Sequence, residues 1–126
     1  MIERLFKNTV YVQVFPNRFE LRHIESGSRA SALSAQAFST VRLLIGDFLP
    51  AEDALKNGMK ELHRGRWFSP KPMVVIQPME KTENGLSPVE QRVLKEVAAG
   101  AGARDSVIWV GHQLSDQEVL AKAYGV

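Results

Sequence analysis

Met73-Val74-Val75-Ile76-Gln77, halted by Pro78, is followed by Ser87-Pro88-Val89-Glu90 and then by Ser106-Val107-Ile108-Trp109-Val110. The reading of these segments decides the fold. Short continuous apolar runs bounded by Pro and Gly suit central strands covered on both faces. Between them, a serine N-cap, a proline at the first helical position and a glutamate at the third form a capping box. Val89, Val93 and Val97 then repeat at helical spacing with Leu94 alongside, and Gly100-Ala101-Gly102 ends the helix. Strand, helix, strand of this kind is a parallel crossover, which is right-handed. Ser115-Asp116-Gln117-Glu118 is a second capping box, opening a terminal helix with Val119, Leu120 and Ala123 inward.

Upstream, Thr9 to Phe15 alternates as a strand, Val10, Val12 and Val14 on one face and Tyr11, Gln13 and Phe15 on the other. Pro16-Asn17 marks a tight turn into a second alternating strand, Arg18 to Ile24. After Ser26-Gly27-Ser28 a weaker third strand is expected over Ala30 to Gln36. Pro50 to His63 reads as a helix with Ala51, Leu55, Met59 and Leu62 inward. Gly58 lies beside that face, where its cost of about 1 kcal/mol suggests a close approach to the sheet. Gly65 closes the helix, and Ser69-Pro70-Lys71-Pro72 connects it to the next strand. The order strand-strand-strand-helix-strand-helix-strand-helix predicts one α/β domain over residues 1–126, with a mixed sheet and helices packed on it.

Composition narrows the function. The chain has 126 residues, no cysteine and a net charge of +2. Disulfides, thiolate metal sites and cysteine nucleophiles are thereby excluded. No apolar run approaches the roughly 20 residues of a spanning helix. Met1 to Asn8 lacks the pattern of a signal peptide, so a cytoplasmic location is expected. The charge gives no argument for nucleic acid, although Lys60, His63, Arg64, Arg66 and Lys71 cluster around Trp67 and Phe68. That cluster is the one place where bases and phosphates would find a purchase.

Lys71-Pro72-Met73-Val74-Val75-Ile76, Val89-Glu90-Gln91-Arg92 and Ala101-Gly102-Ala103-Arg104-Asp105 together resemble the bacterial actin family MreB. In that family a Pro-x-Val-x-Val strand leads to a Glu-Arg-rich helix ending in Ala-Gly-Ala-Arg. Ile45-Gly46-Asp47-Phe48 is similar to the family's Ile-Ala-Asp-Phe before the preceding helix. The resemblance implies the first subdomain of an actin-like, ribonuclease H-like fold, and is specific from about Lys71 to Val110. It also implies where the chain departs. The family's Asp-x-Gly-Thr, which holds ATP phosphates and helps place the metal, corresponds to Gln13-Val14-Phe15-Pro16. Gln13 has no carboxylate and Pro16 no amide hydrogen, while Phe15 is too bulky for backbone to approach phosphate. The family's Glu-Glu-Pro segment falls near Val110-Gly111-His112. No nucleotide cofactor and no metal are therefore expected.

No catalytic set replaces them. The strands lack the carboxylates that two metal ions need. His23, His63 and His112 have no ligand spacing and read as ordinary surface or strand-end residues. Ser87 and Ser115 are explained as caps, and Gly100-Ala101-Gly102-Ala103 as a helix end. Trp109, between Ile108 and Val110, reads as core. Arg64, Arg66, Trp67 and Phe68, in a Gly- and Pro-flanked loop, are the candidate protein-binding residues, since Arg and aromatic side chains anchor interfaces. The expected function is a non-catalytic interaction or assembly module, binding a protein partner or a second copy, linked to the cytoskeleton, cell shape or envelope assembly. A small-molecule binder or enzyme with an unfamiliar site is the alternative, and nucleic-acid binding through Lys60 to Lys71 a third.

Overall fold

A computed structural model describes residues 7–66 and 70–125. The strands are β1 (Thr9–Phe15), β2 (Arg18–His23), β3 (Arg29–Leu33), β4 (Met73–Pro78) and β5 (Asp105–Ile108). The helices are α1 (Phe48–Leu62), α2 (Pro88–Gly100) and α3 (Asp116–Tyr124). One five-stranded sheet has the order β3-β2-β1-β4-β5. β1, β2 and β3 form an antiparallel meander, with Val12 opposite Leu21 and Leu21 opposite Ala30. β4 joins β1 in parallel and β5 joins β4 in parallel. The fold is thus α/β with a mixed sheet, as the element order predicts.

The period of two along each strand divides the core between the two faces. Val10, Val12, Val14, Val74 and Ile76 point into one cluster with Phe19, Leu21, Leu55, Met59 and Val97, beneath α1 and α2. Tyr11 and Val75 point the other way, into a smaller cluster with Leu114, Val119 and Ala123, beneath α3. α3 touches β1, β4 and β5, so among the described residues no helix covers the face of β2 and β3 opposite α1. Gly58 brings α1 close to the sheet. A Cβ there would lie 2.9 Å from that of Ala32 and 3.1 Å from Leu21 Cδ1.

Both capping boxes are formed: Glu90 N donates to Ser87 Oγ and Ser87 N to the Glu90 carboxylate, with the same exchange between Ser115 and Glu118. Other expectations are corrected. The third strand ends at Leu33 instead of Gln36, because the ladder closes where Ser34 N donates to Asn17 O and the Ser34 hydroxyl turns to Gln36 O. α1 begins two residues before Pro50, which falls in the first turn, where a missing N–H costs no helical bond. Val89 is 72% exposed, and α2 buries Leu94, Val97 and Ala98. Four residues advance a helix by 400°, so a series at that spacing drifts off the buried stripe. The last strand lies at the sheet edge and stops at Ile108, leaving Trp109 half-buried beyond it. Trp109 packs beside the smaller cluster, with Lys122 Nζ 4.0 Å over its ring.

Candidate functional site

At the carboxyl ends of β1 and β4, parallel strands leave a crevice in which open α/β sheets hold ligands. Here side chains of the chain itself occupy it. Gln77, buried at the end of β4, accepts from the Tyr11 hydroxyl and donates to the carbonyls of Gly111 at 2.8 Å and His112 at 3.2 Å. The same Tyr11 hydroxyl accepts from Leu114 N at 3.1 Å. Every polar atom of this pair is occupied, and the segment between β5 and α3 is drawn down onto the strand ends. Gln13 is half-buried, its amide 3.6 Å from Met79 sulfur.

The β1–β2 turn is engaged in the same way. Asn17 adopts the left-handed conformation, φ 59°. Its Oδ1 accepts from Phe38 N and Ser39 N at 2.7 and 2.8 Å, and its own N–H donates to Ser39 Oγ at 3.0 Å. Phe15 lies beneath the Arg18 guanidinium, 4.3 Å from its ring centre. The turn amide of Asn17 is thus directed at the chain's own loop, whose amides in turn bond the Asn17 side chain.

At the opposite end of the sheet, the start of β1 and the end of α1 bring together residues that have no common spacing. His23 is the strand-end residue expected, the last of β2, and it is buried. Arg66 Nη1 donates to its Nδ1 at 2.9 Å and Arg66 Nη2 to Ser28 Oγ at 3.0 Å. An Arg always donates, so His23 carries its proton on Nε2, which faces Glu25 Oε1 at 3.5 Å. Glu25 Oε1 also accepts from Thr9 N at 2.7 Å. His63 stands edge-on to His23 with ring centres 5.7 Å apart, one nitrogen at Met59 O and the other at Asn8 Oδ1. Burial, and secondly the Arg66 charge, hold the His23 imidazole below its usual value against the opposing pull of Glu25.

Of the residues expected to bind protein, Arg64 is exposed beside Glu61 on the last turn after α1. Arg66 is half-buried and turned inward onto the β2–β3 turn. Trp67 and Phe68 lie outside the described residues. No pattern in the sequence announced the His23–Arg66 contact, because it depends on where α1 ends over the sheet. His112 Nε2 meets Glu118 Oε2 at 2.8 Å. The Glu118 carboxyl is lowered to about 2, first by the Ser115 backbone and then by His112. Among the described residues, no three His, Asp or Glu side chains converge to hold a metal ion. No described helix is long and apolar enough to cross a membrane.

The fold and these contacts define an α/β domain with a parallel half-sheet whose strand ends are closed by its own amides and phenol. Part of it is similar to bacterial actins: the chain is 37% identical over 62 residues to the cell shape-determining protein MreB of Haemophilus influenzae and 36% identical over 62 residues to that of Pasteurella multocida. Each match covers 49% of the chain and spans only 16% of the MreB protein, which supports an actin-like relationship over that part. The similarity to the Escherichia coli protein YjaA, described only as uncharacterized, is broader: 39% identity over 99 residues, covering 75% of the chain and 76% of YjaA. The chain belongs to the YjaA family. No protein-family model matches it.

Proposed function

We propose that this protein is a non-catalytic assembly module, built on the first subdomain of an actin-like, ribonuclease H-like fold, that binds protein in the cytoplasm in connection with the cytoskeleton or cell shape. The strand order β3-β2-β1-β4-β5, antiparallel first and parallel after, agrees with that fold. The partial likeness to proteins named for cell-shape determination supports the setting. The observation that carries the reading is the engagement of Asn17 by Phe38 and Ser39. The turn at which an actin would hold phosphate is here tied to the neighbouring loop. A rigid sheet without that site contributes through its surface. Arg64, with Trp67 and Phe68, makes the candidate contact segment, and Arg66 fastens its base to the sheet.

Two measurements test this. The melting temperature should be unchanged by ATP and magnesium. A ligand at about a hundred times its dissociation constant adds roughly 2.7 kcal/mol, so a clear rise would overturn the reading. Trp67→Ala with Phe68→Ala should weaken capture of the protein partner while leaving the unfolding midpoint in place. A fall in the midpoint by several kcal/mol of stability, as truncated core aromatics produce, would remove these two residues from the surface.

A further inference from the structure

β3 carries an open edge whose hydrogen-bonding groups can be assigned one by one. His23 N donates to Ser28 O at 2.8 Å and Ser34 N to Asn17 O at 3.1 Å. In an antiparallel ladder the exchanging pairs alternate. The register therefore makes Leu21–Ala30 and Phe19–Ala32 the bonded pairs. Arg29, Ser31 and Leu33 turn their N–H and C=O groups away from β2, and among the described residues no strand pairs with that side. Such a row is a template for another strand. Leu33 is 77% exposed at its end, and Leu49, across a groove of about 290 Å³, is 68% exposed.

We infer that this edge binds a second copy of the chain, β3 against β3 in antiparallel register about a two-fold axis at Ser31. The inference rests on the assembly reading and names the partner. The edge is self-complementary: Ser31 meets Ser31, and Arg29 meets Leu33 in both directions, so all the free groups of both strands are satisfied. No arginine is set directly against another, as Arg22 and Arg29 are across the β2–β3 ladder.

The helices agree with this geometry. α1 lies over β2 and β3, so at a strand spacing of about 4.8 Å it would lie about 10 Å from its copy, a normal packing distance. The two α1 helices run antiparallel about the axis. Asp53 lines the groove on the edge side, and Lys60 follows two turns later on the same side. Both are exposed, and neither has an ion-pair partner among the described residues. Antiparallel pairing brings the Asp53 end of one helix to the Lys60 end of the other. The segment from Arg64 adjoins this edge, since Arg66 bonds Ser28 immediately before β3.

The chain has no cysteine, so a single introduced thiol reports the register directly. Under mild oxidation the full-length Ser31→Cys variant should form a covalent dimer much faster than Val89→Cys, whose thiol would sit on exposed α2. Sedimentation equilibrium should show the unmodified chain dimerising, with Asp53→Lys weakening association on the order of tenfold or more and Asp53→Lys with Lys60→Asp restoring it. A chain that stays monomeric throughout the accessible concentration range would overturn the inference. So would Ser31→Cys cross-linking no faster than Val89→Cys, or a double variant no tighter than the single one. The two readings fail separately. A monomer that still captures another protein loses only the β3 pairing, whereas a Ser31-linked dimer stabilised by ATP keeps the pairing and loses the non-catalytic reading.

Discussion

Arg66 reaches from beyond the end of α1 to donate a hydrogen bond to the buried Nδ1 of His23, 2.9 Å away. Protonation of that nitrogen would remove the acceptor and set two cations against each other. The folded protein therefore holds His23 neutral, its value lowered first by burial and then by Arg66, with Glu25 opposing and His63 adding a smaller push. In the unfolded chain the imidazole takes up a proton near pH 6.5. The unfolded state binds more protons below that point, so the stability conferred by neutral His23 is present above about pH 6.5 and is lost as pH falls toward the depressed folded value. Denaturant midpoints measured against pH should decline across this window. His23→Gln should flatten the decline.

Gly58→Ala should destabilise the protein despite the gain in helix propensity. The new methyl would lie 2.9 Å from Ala32 Cβ, which is fixed to a strand and cannot swing aside. Propensity returns about 1 kcal/mol, and overpacking costs typically 1–3 kcal/mol. Thermal melts should show the net loss, and Gly58→Ala with Ala32→Gly should recover most of it.

Val97 and Val89 should respond oppositely to the same change. Val97→Asp places an unpartnered carboxylate in the core and should cost several kcal/mol in denaturant titrations. Val89→Asp, on the exposed first turn of α2, should alter stability by less than about 0.5 kcal/mol. Ser87→Ala should fall between them, near 1 kcal/mol, through loss of the cap.

Much of this fold was legible because its cues are local. Ser87 with Glu90 and Ser115 with Glu118 place two helix starts without tertiary information, and Val10, Val12 and Val14 show their shared face by alternation alone. Gly58 signalled a close approach because a glycine in a helix costs propensity. What escaped depends on neighbours distant in sequence. Ser106 to Val110 reads as a central strand from its apolar run, yet β5 is an edge that stops at Ile108, because nothing in those residues says that the sheet ends there. Val89 matches the helical repeat but sits where the stripe has turned toward solvent. At the candidate site, the residue types from Gln13 to Pro16 could be read in the sequence, but not what they contact. That Asn17 is tied to Phe38 and Ser39 follows from a loop conformation with no periodic signature. Likewise no spacing rule joins His23 to His63 and Arg66.

Tyr11 spans a longer interval than any of these, reaching Leu114 across 103 positions, and Thr9 Oγ1 meets the Tyr124 hydroxyl at 2.7 Å across 115. Closing so long a loop costs entropy that grows with its logarithm, and the short α3 has only the smaller apolar cluster to offset it. The helix over β1 is thus the part of the fold with least to gain from docking early. In folding it should therefore settle onto a sheet already formed by closer pairings, and hydrogen exchange should show it opening ahead of that sheet. The Tyr11 phenol at Leu114, the Thr9–Tyr124 hydroxyl pair and the Arg22–Asp116 ion pair at 2.8 Å turn a final element that would be merely adjacent into one that is fastened.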